Sequence, residues 1–176
     1  MEANTNENKN RMLTGMFNDR ESAEQAYNSL HSKGYTKDDV NLMMSDETRK
    51  KHFSDSSTEL ADKAMEKAGV GSAIGGTVGA VVAAIAALGT TLALPGLGLI
   101  IAGPLAAALA GAGAGGVTGG LIGALVGAGI DKDKAEMYET GIKNGGIVMG
   151  INPKNEDDAK YLNEEWAKNK GQNIHY

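Results

Sequence analysis

The stretch LPGLGLIIAGP, residues 94 to 104, decides how this chain is read. It holds Pro95 and Pro104, two of the chain's three prolines. Pro95-Gly96 suits the central pair of a type II turn, where proline presets φ and glycine takes the positive φ that follows. Pro104 suits the first turn of a helix, where its missing N–H is not needed. The stretch lies inside 61 consecutive residues, Val70 to Ile130, with no Asp, Glu, Lys, Arg or His. These features predict a turn between two apolar helices, with arms at about 70–94 and 104–130. Each arm would be roughly 35–40 Å long. A bilayer core of about 30 Å needs ~20 apolar residues, so either arm is long enough to span one.

The arms share a second pattern. Glycine recurs every fourth residue at Gly111, Gly115, Gly119, Gly123 and Gly127, and again at Gly71, Gly75 and Gly79. Glycine costs a helix about 1 kcal/mol relative to alanine. On a helix, positions i and i+4 stack into a ridge, and a ridge of glycine is a groove. A second helix can approach it until the backbones touch, gaining dispersion contacts and weak Cα–H···O bonds. The spacing predicts close helix packing, within the hairpin and between hairpins of different chains. The competing expectation is that the run is a buried core, either of a soluble bundle or wrapped by the rest of the chain.

The flanks look like ordinary solvated protein. Residues 1–69 carry 13 acidic and 10 basic side chains, net −3, and residues 131–176 carry 9 and 7, net −2. Residues 1–11 are expected to be a disordered polar tail. MLTGMF (12–17) places Leu13, Gly15 and Phe17 on one side of a strand. Asn18-Asp19 starts a helix that buries Ala23, Ala26, Tyr27 and Leu30 and stops at Gly34. Val40, Leu42 and Met44 alternate in a second strand. Residues 45–56 are polar and are expected to form a loop. A lead-in helix is expected near Thr58, with Leu60, Ala61, Ala64 and Ala68 inward.

Beyond the uncharged run, a helix with early acids and a late Lys143 buries Ala135, Tyr138, Gly141 and Ile142. IVMGI (147–151) is a strand. Asn155 and Asp158 pair as a cap for a helix that buries Ala159, Leu162 and Trp166, and NIHY is a final edge strand. The order β-α-β, then α-β-α-β, predicts an α+β fold. It is a ferredoxin-like sandwich split between residues 12–57 and 131–176, interrupted by an apolar glycine-zipper hairpin within 58–130.

The phrase MFNDRESAEQAYNSLHSKGYTKDDVNLMM (16–44) resembles the N-terminal module of the bacterial general stress protein family, the heat-induced YflT-like domain. The shared pattern falls on Asp19, Ala23, Glu24, Ala26, Gly34-Tyr35 and Asp38-Asp39-Val40. A Gly/Ala-rich apolar middle and an ending similar to AEMYETGIKNGGIVMGI (135–151) extend the likeness over most of residues 12–151. The resemblance implies a bacterial stress-associated, membrane-associated protein. Its motifs are structural rather than catalytic.

Several chemistries have no support in the residues. The net charge of −5 argues against a general nucleic-acid binder. The absence of cysteine excludes disulfides and thiol chemistry, and the polar N-terminus shows no cleaved-signal pattern. GAGAGG (111–116) matches G-x-G-x-x-G in letters, but it sits inside apolar helical sequence rather than between a strand and a helix. His31, His52 and His175 have no ligand-spaced partners, and the carboxylate runs read as turn and helix-start residues. No catalytic, metal or cofactor residues are assigned, and no small-molecule substrate is indicated.

The expected function is therefore a non-enzymatic stress protein. Its α+β domain would be tethered to the cytoplasmic membrane face by the hairpin and would self-associate through the glycine ridges. The alternative is a soluble cytoplasmic assembly whose hairpins bury one another in a core, shell or filament. A third reading is a membrane-active or pore-forming protein.

Overall fold

The computed structural model describes residues 12–53, 91–94, 98–111, 120–127 and 130–176. The expected tail, the lead-in helix near Thr58, Pro95-Gly96, and Gly71, Gly75, Gly79, Gly115 and Gly119 lie outside these residues. Among the described residues six strands form one antiparallel sheet in the order β3-β4-β2-β5-β1-β6. The strands are β1 (Leu13–Phe17), β2 (Val40–Ser45), β3 (Thr91–Leu94), β4 (Leu99–Ala102), β5 (Ile147–Ile151) and β6 (Gln172–His175). The helices are α1 (Arg20–Ser32), α2 (Asp46–Phe53), α3 (Pro104–Gly111), α4 (Gly120–Gly127), α5 (Lys132–Lys143) and α6 (Glu156–Lys168).

The central strands are apolar on both faces. In β1, β2 and β5 alternate residues enter two different cores. Leu13, Phe17, Val40, Leu42, Met44, Ile147, Met149 and Ile151 face α1 and α6. Met16, Met43 and Val148 face the other way, with Leu99 and Ile101 of β4, under α3, α4 and α5. Strands buried on both sides read as near-continuous apolar runs, as these do.

The first face has the expected helices. Asp19 caps α1, accepting the Ser22 N–H at 2.8 Å, and this hydrogen bond lowers the Asp19 pKa. Asn155 caps α6 in the same way, accepting the Asp158 N–H at 2.8 Å. Trp166 is fully buried, edge-on to Phe17 with ring centroids 5.7 Å apart. A buried hydroxyl ties the two helices together. The Tyr35 hydroxyl donates to Asp158 Oδ2 at 2.9 Å and accepts the Lys154 N–H at 2.8 Å. Desolvation, with the Asp158 carboxylate adding to it, pushes the Tyr35 pKa up to about 12.

Three expectations are corrected. The polar residues 46–53 form α2 rather than a loop. Ser45 Oγ accepts the Thr48 N–H at 3.0 Å, and Asp46 pairs with Lys50 at 2.6 Å and Arg49 at 3.1 Å. Acids at its start and Lys50, Lys51 and His52 at its end also suit the helix dipole. Second, the arm expected to stay helical to residue 94 ends in strand β3, and LPGLGLIIAGP runs through the return strand β4. The β-branched pair Ile100-Ile101 fits a pleated, doubly buried position better than a helix. Third, the second arm is not one helix over 104–130. Pro104 does open α3, but α3 ends at Gly111 and α4 begins at Gly120 with φ 64°, a left-handed backbone that no continuous α-helix contains.

The sheet itself supplies the cap for α3. Asn41, on β2 and 2% exposed, accepts the Leu105 N–H on Oδ1 at 2.7 Å. Gly103, with φ 98°, sits against the Val40 backbone where no Cβ fits. Replacing Asn41 with alanine leaves that helix-start N–H buried and unpaired. Asn41→Ala should cost about 1–2 kcal/mol in urea denaturation without changing the m-value.

Candidate functional site

α4 reads GLIGALVG and carries no polar side chain. Leu121 and Leu125, four residues apart, are fully buried against the sheet layer and α5. Gly123 and Gly127, also four apart, fall on the opposite side of the helix. A Cβ placed on either would meet no described atom within 4 Å. Val126 flanks them at 44% exposure. Met137, on the neighbouring α5, is 42% exposed, and these two are the large exposed hydrophobics among the described residues. The outer side of α4 is thus apolar, with no described side chain over the two glycines and Val126 beside them.

The eight glycines and three turn residues singled out in the sequence divide as follows. Gly123 and Gly127 form the open ridge. Gly111 is the last residue of α3, and Pro104 the first. Gly71, Gly75, Gly79, Gly115, Gly119, Pro95 and Gly96 are outside the described residues. The ridge therefore has two described members, and the chain brings no described side chain onto them.

A different glycine shows what packing inside the chain looks like. Gly141 of α5 stands against Met16, whose sulfur occupies the space a Cβ would need. Sequence reading placed Gly141 on the buried face of its helix but gave it no packing role, and its signal was its position beside Tyr138 and Ile142.

A polar cleft of about 290 Å³ lies where β1 and β2 end and β5 begins. Lys51, His52 and Lys143 contribute basic groups and Glu47 an acid. Lys51 and Lys143 sit in the last turns of α2 and α5, where their charges offset the negative ends of two helix dipoles. Ser45 Oγ and Thr48 Oγ1, 2.8 Å apart, hydrogen bond to each other, and the Ser45 hydroxyl also caps α2. Among the described residues neither hydroxyl is hydrogen-bonded to a basic side chain. Among the described residues no group of three His, Cys, Asp or Glu is placed to hold a metal ion. No helix among them is long and apolar enough to cross a membrane. α3 and α4 have 8 residues each, about 12 Å of helix.

Comparison with family models, with curated proteins and with solved structures finds no match.

The two kinds of glycine should respond oppositely to alanine. At Gly123 the added methyl meets no described atom, so Gly123→Ala should raise stability by about 0.5–1 kcal/mol through helix propensity. At Gly141 the methyl collides with Met16, so Gly141→Ala should lower it by roughly 1–3 kcal/mol. Chemical denaturation at low protein concentration reads both.

Proposed function

We propose that this chain is a non-enzymatic, stress-associated protein that acts by self-association through the outer side of α4. One observation carries the reading: Gly123 and Gly127 cost the helix stability and receive no described packing in return. A glycine groove beside Val126 suits a second apolar helix, and a second copy of the chain supplies one. The stress association rests on the family resemblance of residues 16–44.

The core reads as a ferredoxin-like split β-α-β fold. The order β2-β5-β1-β6 supports this, with α1 linking β1 to β2 and α6 linking β5 to β6 over one face. The uncharged segment enters between β2 and α5. Its second half supplies the cover for the face that such a sheet otherwise leaves open.

A second reading keeps the membrane. Residues 70–90 hold no charged side chain and are long enough to enter a bilayer. They would tether the domain to the cytoplasmic membrane face, with the same ridge joining neighbouring copies.

The two readings share self-association and differ in its setting. Sedimentation velocity without detergent should show an oligomer for the native chain. Replacing Gly123 and Gly127 with leucine should weaken association at least about tenfold, equivalent to ~1.4 kcal/mol, with far-UV circular dichroism unchanged. An unaltered oligomer in that double variant defeats the ridge. Protein that stays in the membrane pellet through an alkaline carbonate wash would favour the tethered form.

A further inference from the structure

The last strand, β6, is held differently from the others. It is 4 residues long, half-exposed and at the edge of the sheet. Its ladder to β1 shifts register between Thr14↔His175 and Met16↔Gln172. Two non-glycine residues beside and within it, Lys170 at φ 61° and Asn173 at φ 50°, take left-handed backbone. Such residues persist only where other contacts hold them. Two contacts do so. Ile174 packs against the core beside Trp166 and Phe17. On the other face the Tyr138 hydroxyl lies 2.7 Å from both Thr14 Oγ1 and the Asn173 carbonyl oxygen. With one proton to give, it donates to the carbonyl and accepts from the threonine.

His175 lies on the Tyr138 side. The ring as a whole is half-buried, but Nε2 is closed off from solvent and has no hydrogen-bond partner among the described residues. As a lone pair, Nε2 forgoes one hydrogen bond. As the N–H of an imidazolium it would be a charged donor with no acceptor.

We propose that β6 is a proton-operated latch: protonation of His175 drives the strand off β1 and uncovers Trp166.

Among the described residues, two charged groups act on the ring. Lys134 and Asp131 of the α5 start face it and pair with each other at 2.8 Å. β1 contributes Thr14 and Met16, which carry no charge. Burial, with Lys134 adding to it and Asp131 opposing, holds the His175 pKa below its ordinary 6.5. The sign follows from linkage. In the released strand the imidazole is solvated and takes its proton near the ordinary value, while docked it resists. Above that value both forms are neutral and the latch is indifferent to pH. As pH falls below it the released form gains protons first, so docking weakens down to the docked pKa and is constant below that.

Trp166 is the single tryptophan and has no exposed surface, so it reports release. The test is acrylamide quenching of its fluorescence at pH 7.5 and 5.0, with hydrogen exchange of residues 172–175 measured alongside. The native chain should become about threefold or more easier to quench at the lower pH. Its β6 amides, corrected for intrinsic rates, should lose protection by a similar factor, while β5 keeps its own. His175→Phe and His175→Gln cannot take the proton and should abolish both changes. Tyr138→Phe should loosen β6 at both pH values and leave the ratio between them. A native chain with no pH response overturns the latch, and so does an equal response in either folded His175 variant.

Discussion

Strand β5 has no side to give to water. Ile147, Met149 and Ile151 fill one core and Val148 the other, and all five of its residues are buried. The same holds for β1, whose five residues are all buried, and for β2 up to Ser45. A sheet with this composition cannot stand with one face open, because each exposed methionine, valine or isoleucine would forfeit about 1.5–3 kcal/mol of burial. α1 and α6 cover one side. α5 alone is too narrow for the other, and the uncharged segment supplies the rest through α3 and α4. It also extends the sheet with β3 and β4, so these four described elements are part of the domain.

That arrangement separates two demands placed on the glycines. Where the chain must pass close to itself, glycine is used singly: Gly103 against the Val40 backbone and Gly141 against Met16. Where it repeats at a spacing of four on α4, no described atom stands beside it. The first kind builds the monomer. The second kind weakens it slightly and leaves an apolar strip, which is the physical basis for the proposal that another copy of the chain packs there. The polar end of the sheet offers no comparable contrast, since its basic side chains are accounted for by the helix ends they sit on.

Much of this was legible in the residues. α1, α5 and α6 show apolar stripes and have the expected boundaries, and Asp19 and Asn155 cap as their positions suggest. β1, β2 and β5 were visible as apolar segments. Their second face was also visible, in Met16, Met43 and Val148, but alternation drew attention to one side only. α2 was hidden because it buries little beyond Thr48 and Phe53 and depends on a serine cap and ion pairs. β3 and β4 were hidden for the opposite reason. In a run with no polar residue for contrast, a period of 2 and a period of 3.6 look alike. The left-handed turn at Gly120 could not be read from a sequence in which neighbouring glycines are equally permissive. The ridge positions Gly123 and Gly127 were legible as a pattern, whereas the direction they face depended on where Leu121 and Leu125 found their core.

The central claim is that β4, α3 and α4 belong to the domain, β4 in its sheet and the two helices in its second layer. The most direct test is native-state hydrogen exchange in detergent-free buffer, comparing β4 (Leu99–Ala102) and the Leu121–Leu125 stretch of α4 with β5. If α3, α4 and β4 close the sheet, the β4 amides should be protected to within about tenfold of those in β5, and the α4 amides should be clearly protected as well. Exchange of β4 and α4 at open-chain rates, with β1, β2 and β5 still protected, would mean that the uncharged segment stands apart from the domain and would contradict the account.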